Sequence, residues 1–268
     1  MKGEFDWGKE MINFLSETIK RVVVFITIFL VAGLFLQDIE EYSFYICLII
    51  ASLLTYILFD RNKWSLGLNS SNLIYNVANG FAGGFLSIVS VFFIVLFFKG
   101  HKIDGFTFDV KALIVWTVYC IITALGEEIV ARGCIYGFLK YKFGVIASAI
   151  VSSGLFALFH LFRSGINAFV ILTLFLAGLM YTYMKEKSGA IWLPFGFHFS
   201  WNYISGIMGM WRDKMIVLKT DISQYSLING GVYGIEGSIF TVMLYLSIVI
   251  IILIKHLQPN HLRFQMKR

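Results

Sequence analysis

Six side chains in this sequence combine chemical reactivity with a setting that discourages it. Glu127, Glu128 and Arg132 stand in "TALGEEIVARG" (123–133), directly after the uncharged run 112–126. His160 closes "FALFH", and His198 and Asn202 lie in "FGFHFSWN". An ionisable group near the centre of a bilayer costs at least about 2.5–3.5 kcal/mol, so such residues are functional candidates by default. Carboxylates with imidazoles can take and return protons, and an imidazole beside a carboxamide can donate hydrogen bonds to a developing oxyanion.

Helical spacing sorts these residues into roles. Glu128 and Arg132 are four apart, share a helix face and are expected to form a structural ion pair. Glu127 is turned away by about 100° and must find its partner on another helix, which makes it the candidate general base. His198 and Asn202, also four apart, point the same way and suit an oxyanion. His160 follows Phe156 by four, so an aromatic ring flanks an imidazole that can orient Glu127 or a water. A single His or Asn in a membrane helix often does no more than bond a neighbouring helix. Proton-coupled carriers place the same groups near the midplane, so the residue types alone leave hydrolase and transporter both open.

The elements that must position these groups are apolar helices. The chain has 268 residues, 58% hydrophobic and 14% charged, with only two prolines and a mean hydropathy of +0.79. A soluble domain carries roughly 25% charged residues. The composition therefore predicts an all-α, polytopic integral membrane protein with about eight transmembrane helices. The runs lie near 21–37, 43–59, 76–98, 110–138, 144–162, 166–184, 189–209 and 237–255. "NGFAGG" (79–84) supplies small residues for close helix packing. Of the 22 Lys and Arg, 14 fall on the side that holds both termini and 7 on the other, with Arg132 inside a span. That asymmetry, with the purely acidic loop "QDIEEY", predicts cytoplasmic termini in the cell membrane. Residues 1–20 read as an interfacial segment without a cleavable signal pattern, and 256–268 as a basic cytoplasmic tail. The positive balance thus belongs to the membrane surface and not to nucleic acid. Cys47, Cys120 and Cys134 lie in apolar segments without CxxC or CxH spacing and read as buried thiols. No linker or repeat divides the chain, so a single membrane domain is expected.

Three motifs, EExxxR (Glu127, Glu128, Arg132), FxxxH (Phe156, His160) and HxxxN (His198, Asn202), occur in order, each in an apolar helix. At these residues the sequence resembles the CPBP family, the CAAX-processing and bacteriocin-processing (Abi) intramembrane endopeptidases related to type II CAAX prenyl endopeptidase. "LINGGVYGIEGSIF" (227–240) is similar to the glycine-rich stretch that opens the last helix in bacterial members, and the resembling core covers about 110–250. The resemblance implies hydrolysis of a peptide bond in a membrane-anchored peptide or protein. Glu127, helped by His160, would activate water, and His198 with Asn202 would form the oxyanion hole. No cofactor is required for that chemistry. A divalent metal such as zinc could be held by Glu and two His, although HExxH is absent. Ser152 and Ser153 read as small packing residues rather than a serine nucleophile, and the aspartates fall at helix ends or in loops. The competing expectation from another class is a non-catalytic bacteriocin self-immunity or scaffold protein with the same fold.

Overall fold

The computed structural model describes residues 7–36, 42–211, 215–222 and 227–257. Residues 1–6 of the expected interfacial segment, most of "QDIEEY" and the tail beyond residue 257 lie outside them. Among the described residues the helices are α1 (Trp7–Leu36), α2 (Ser43–Phe59), α3 (Leu73–Phe97), α4 (Val110–Glu128), α5 (Tyr136–Phe143), α6 (Val145–Phe159), α7 (Ala168–Ser188), α8 (Trp192–Ile207) and α9 (Ile239–Leu257). Seven residues of π-helix, Ile129–Ile135, join α4 to α5 as one continuous rod. Each expected apolar run falls on one helix or on this rod. Four helical stretches, Gly8–Leu36, Leu73–Phe97, Val110–Phe143 and Ala168–Ser188, are long and apolar enough to cross a membrane. Ser43–Phe59, Val145–Phe159 and Ile239–Lys255 are shorter apolar helices. The protein is an all-α membrane protein, and its outward-facing Phe35, Ile74, Ile146 and Phe162 suit contact with lipid.

Two features differ from the sequence reading. First, α1 begins at Trp7, so the described part of the interfacial segment and the first span are one helix. No Pro or Gly pair interrupts "GKEMINFLSETIKR", and polarity marks the edge of a membrane without ending a helix. Second, a two-stranded antiparallel ribbon interrupts the all-α pattern. β1 (Lys102–Phe106) pairs with β2 (Leu218–Asp221), matching Lys102 with Asp221 and Phe106 with Leu218. It forms from two polar connections that emerge at the same end of the bundle.

Local chemistry fixes where the site-bearing helices begin. The Asp109 carboxylate caps α4 by accepting from the N–H groups of Lys111 (2.8 Å) and Ala112 (3.1 Å). Asn167 caps α7 in the same way through Phe169 (2.9 Å) and Val170 (3.1 Å). Gly189, at φ +70°, ends α7 in the left-handed conformation, and Pro194 lies in the first turn of α8, where its missing N–H costs little. The main core lies between α3, α7, α8 and α9, around Val91, Met180, Phe197 and Tyr245. There "NGFAGG" does what small residues do in lipid. A methyl on Gly80 would collide with the carbonyl of Leu193, and one on Gly84 would stand 2.5 Å from the carbonyl of Phe197. α3 therefore presses backbone to backbone against α8, the helix that carries His198 and Asn202.

At one end of the bundle, ion pairs knit together the segments that the charge count assigned to one side. Arg21 pairs with Asp60 (2.6 Å), Lys142 with Glu17 (2.8 Å) and Lys140 with Glu186 (2.6 Å). The ribbon, with Lys102 and Lys219, occupies the opposite end.

Candidate active site

The three motifs meet on α4, α6 and α8. Glu127 Oε2 lies 3.8 Å from His160 Nε2 and 3.7 Å from His198 Nε2. The partner Glu127 lacks on its own helix is thus supplied by two others. Both imidazoles have their far nitrogen engaged. His160 Nδ1 lies 2.8 Å from the Phe156 carbonyl, and His198 Nδ1 lies 3.0 Å from Glu128 Oε1. A carbonyl and a carboxylate only accept, so the partners assign the proton to Nδ1 in each ring. Both Nε2 atoms then face Glu127. All three side chains, at 8–12% exposure, are nearly closed off.

Separations of 3.7–3.8 Å are too long for direct hydrogen bonds. Glu127 Oε2 has no hydrogen-bond partner among the described residues. It opens on a cavity of ≈ 50 Å³, room for a few waters, which is also lined by Asn202, Arg163, Tyr233 and Glu236.

Glu128 does more than its spacing suggested. Its Oε1 accepts from Arg132 Nη1 (3.1 Å), as the four-residue interval requires, and the same oxygen holds His198. The pair is sealed in, with Glu128 0% and Arg132 1% exposed. The Arg132 guanidinium lies 4.3 Å from the Phe156 ring centre and 5.0 Å from that of Tyr181. Phe156 in turn meets His160 edge-on (5.0 Å), while Tyr181 stacks on His198 (5.3 Å, 21°). Phe156 therefore sits between the cation of the first motif and the imidazole of the second. A smaller residue there would loosen both.

The π-helical turns begin one residue after Glu128. Such turns recur at functional sites because the inserted residue rotates the succeeding turns relative to an unbroken α-helix. Here Tyr136 N–H reaches back five residues to Ala131, and the buried ammonium of Lys185 on α7 donates to the carbonyl of Arg132 within the widened turns.

Every residue singled out from the sequence reaches this one site: Glu127, His160, His198 and Asn202 at the cavity, Glu128 and Arg132 behind it. Sequence reasoning missed the bond from Glu128 to His198 and three further residues around the cavity, Arg163, Tyr233 and Glu236. Arg163, which donates to the Tyr45 hydroxyl (2.8 Å), read as an ordinary loop cation three residues after His160. Glu236 had one available signal: it is the last acidic residue of the chain, placed against an apolar helix.

Zinc was the candidate ion. Its bonds of about 2.1 Å hold tetrahedral ligands roughly 3.4 Å apart, closer than the separations here. Among the described residues no group of three or more His, Cys, Asp or Glu is set as a metal cage. These separations do not make a preformed zinc cage, and no step of the mechanism is routed through a metal.

A carboxylate between two imidazoles, facing a small polar cavity inside a helical membrane protein, is an arrangement suited to hydrolysis. Residues 109–204 match the family model described as type II CAAX prenyl endopeptidase Rce1-like, and this stretch contains all three motifs. That stretch, about a third of the chain, is similar to the CAAX protease (CPBP) family, and the match supports an intramembrane endopeptidase in general. Among curated proteins none matches.

Proposed function

We propose that this protein hydrolyses one peptide bond of a membrane-anchored peptide or protein, of CAAX or of bacteriocin or pheromone type, with Glu127 as the general base. The observation that supports this most is Glu127 Oε2 set between the Nε2 atoms of His160 and His198, with no direct hydrogen-bond partner among the described residues. A water there gives one proton to Glu127 while His160, its tautomer fixed by the Phe156 carbonyl, steers the oxygen toward the substrate carbonyl. His198 and Asn202 stand one helical turn apart on α8 and face the oxygen on which charge develops. In its protonated form His198 donates to Glu128 through Nδ1 and to the oxyanion through Nε2. Donors fixed in place before the reaction are worth about 2.7–4 kcal/mol each when removed from such a hole. Glu128 keeps His198 in register, and Arg132 anchors Glu128.

The chain is an integral protein of the cell membrane in this reading, with eight crossings, lipid around it, cytoplasmic termini and no nucleic-acid partner. The 14-to-7 division of basic residues and the ion pairs gathered at one end support that orientation.

The test is cleavage of a panel of membrane-anchored and prenylated peptides by purified protein in detergent. Wild type is compared with Glu127→Ala, Glu128→Ala and His198→Ala, each with and without a chelator. Cleavage by wild type that persists with chelator and disappears in Glu127→Ala is the expected result. If wild type cuts nothing while all four proteins retain the same bound partner, the chain is an immunity or scaffold protein instead.

A further inference from the structure

The glycine-rich segment before α9 ends in a carboxyl group that the hydrolytic scheme leaves without a task. Gly230 and Gly234 have φ of +87° and +97°, conformations that side chains rarely adopt. The turn is so tight that a methyl on Gly230 would overlap the carbonyl of Gly234. That fold carries Tyr233 and Glu236 onto the wall of the cavity that holds Glu127, His198 and Asn202. Glu236 lies in a short 3-10 turn, Ile235–Gly237, ahead of the last helix. Trp201, three residues after His198 on α8, lines the same cavity. Glu236 thus shares its cavity with the helix that presents the oxyanion donors.

We propose that Glu236 is the proton donor to the leaving amine. The inference rests on the endopeptidase reading. An amine does not depart as its anion, so the nitrogen must gain a proton as the C–N bond breaks. Water adds its oxygen to the carbonyl carbon and loses a proton to Glu127. The C–N bond then breaks, its electron pair stays on nitrogen, and the proton of Glu236 goes to that nitrogen. Products are a carboxylic acid and an amine, and the proton on Glu127 returns to Glu236 through cavity water. The titratable groups around Glu236 are Arg163, His198, Glu127, Tyr181, Tyr233 and Tyr245. Burial, the largest influence, outweighs Arg163 and pushes this carboxyl up to about 7, so much of it carries a proton at neutral pH. Two carboxyl groups in one cavity, one as base and one as acid, divide the work according to their surroundings.

The experiment uses a prenylated CAAX-type peptide and an analogue with a thioester at the scissile bond. A thiol with a pKa of about 8.5 departs as thiolate without an acid. Glu236→Gln keeps the size of the side chain and removes its acidic proton. It should lower kcat on the amide by about 10²-fold or more and leave thioester cleavage little changed, which also shows that the variant is folded. The loss of wild-type amide cleavage as pH rises through about 7 should disappear with it. Unimpaired amide cleavage, or an equal fall on both substrates, overturns the assignment. A wild-type protein that cuts neither substrate refutes the endopeptidase reading itself, and the role of Glu236 with it.

Discussion

Replacing Glu128 by Gln separates its two tasks. The substitution preserves shape and leaves an acceptor for His198 but removes the charge opposite Arg132. That guanidinium is 1% exposed, and its Nη2 already has no hydrogen-bond partner among the described residues. The attraction of the Phe156 and Tyr181 rings, about 2 kcal/mol for a desolvated cation, is present before and after and does not offset the change. What remains is the cost of an uncompensated buried charge, ~3–5 kcal/mol. In detergent this should appear as a fall in the midpoint of thermal unfolding on the order of 10 °C, from roughly 2–4 °C per kcal/mol for chains of this size. A second substitution, Arg132→Met, removes the stranded charge. Replacing a buried ion pair by apolar groups is often neutral, so Glu128→Gln/Arg132→Met should recover most of the stability. Activity should stay low, because His198 Nδ1 still faces an amide where it needs a carboxylate. A single variant that loses less than about 1 kcal/mol would place Arg132 in a wetter setting than the structure shows. A double variant that regains activity together with stability would mean that Glu128 serves Arg132 alone.

Single contacts elsewhere make equally definite demands. Gly80→Ala, whose methyl meets the α8 backbone at Leu193 and Phe197, should cost about 1–3 kcal/mol and reduce cleavage. Gly154→Ala, with nothing within 4 Å, should be neutral or stabilising in the same unfolding assay. Lys185→Met removes the donor to the Arg132 carbonyl and should destabilise by about 1–3 kcal/mol, whereas an unchanged midpoint would show the π-helical turns to be self-supporting. His101, in the loop after α3, is buried with neither ring nitrogen hydrogen-bonded among the described residues, and burial lowers its pKa to about 4. The unfolded chain takes up that proton near 6.5, so the stability it contributes is complete above about 6.5 and is lost as pH falls toward 4. His101→Leu should flatten stability across that interval, and an unaltered acid profile would assign the acid sensitivity elsewhere.

Legibility in the sequence tracked how local the physics was. Glu128 with Arg132, and Phe156 with His160, were legible because an interval of four residues fixes contact within one helix. That Glu127 needed partners on other helices also came from the interval, but their distances did not. The bond from Glu128 to His198 depends on how α4 and α8 rotate against each other, and the backbone contacts of Gly80, Gly84 and Gly196 fix where α8 sits. The helices were legible because apolar length is set by the bilayer. Their ends were less so, since "GKEMINFLSETIKR" is polar yet helical. Nothing in "IVARGCI" distinguishes π-helix from α-helix, and "KIDGF" and "LKTD" are too short to announce a ribbon. Glu236 was missed because its role depends on a fold of glycines that brings the last acid of the chain back to a cavity built by residues far away.

The most direct test of the central claim is cleavage in ¹⁸O-labelled water by wild type and Glu127→Gln, with products read by mass spectrometry. The account predicts that wild type yields a single cut whose new carboxyl group carries one solvent oxygen, and that Glu127→Gln, folded to the same extent, yields none. Equal cleavage by Glu127→Gln would remove the base from the mechanism, and a wild type that releases no labelled product would contradict hydrolysis at this site.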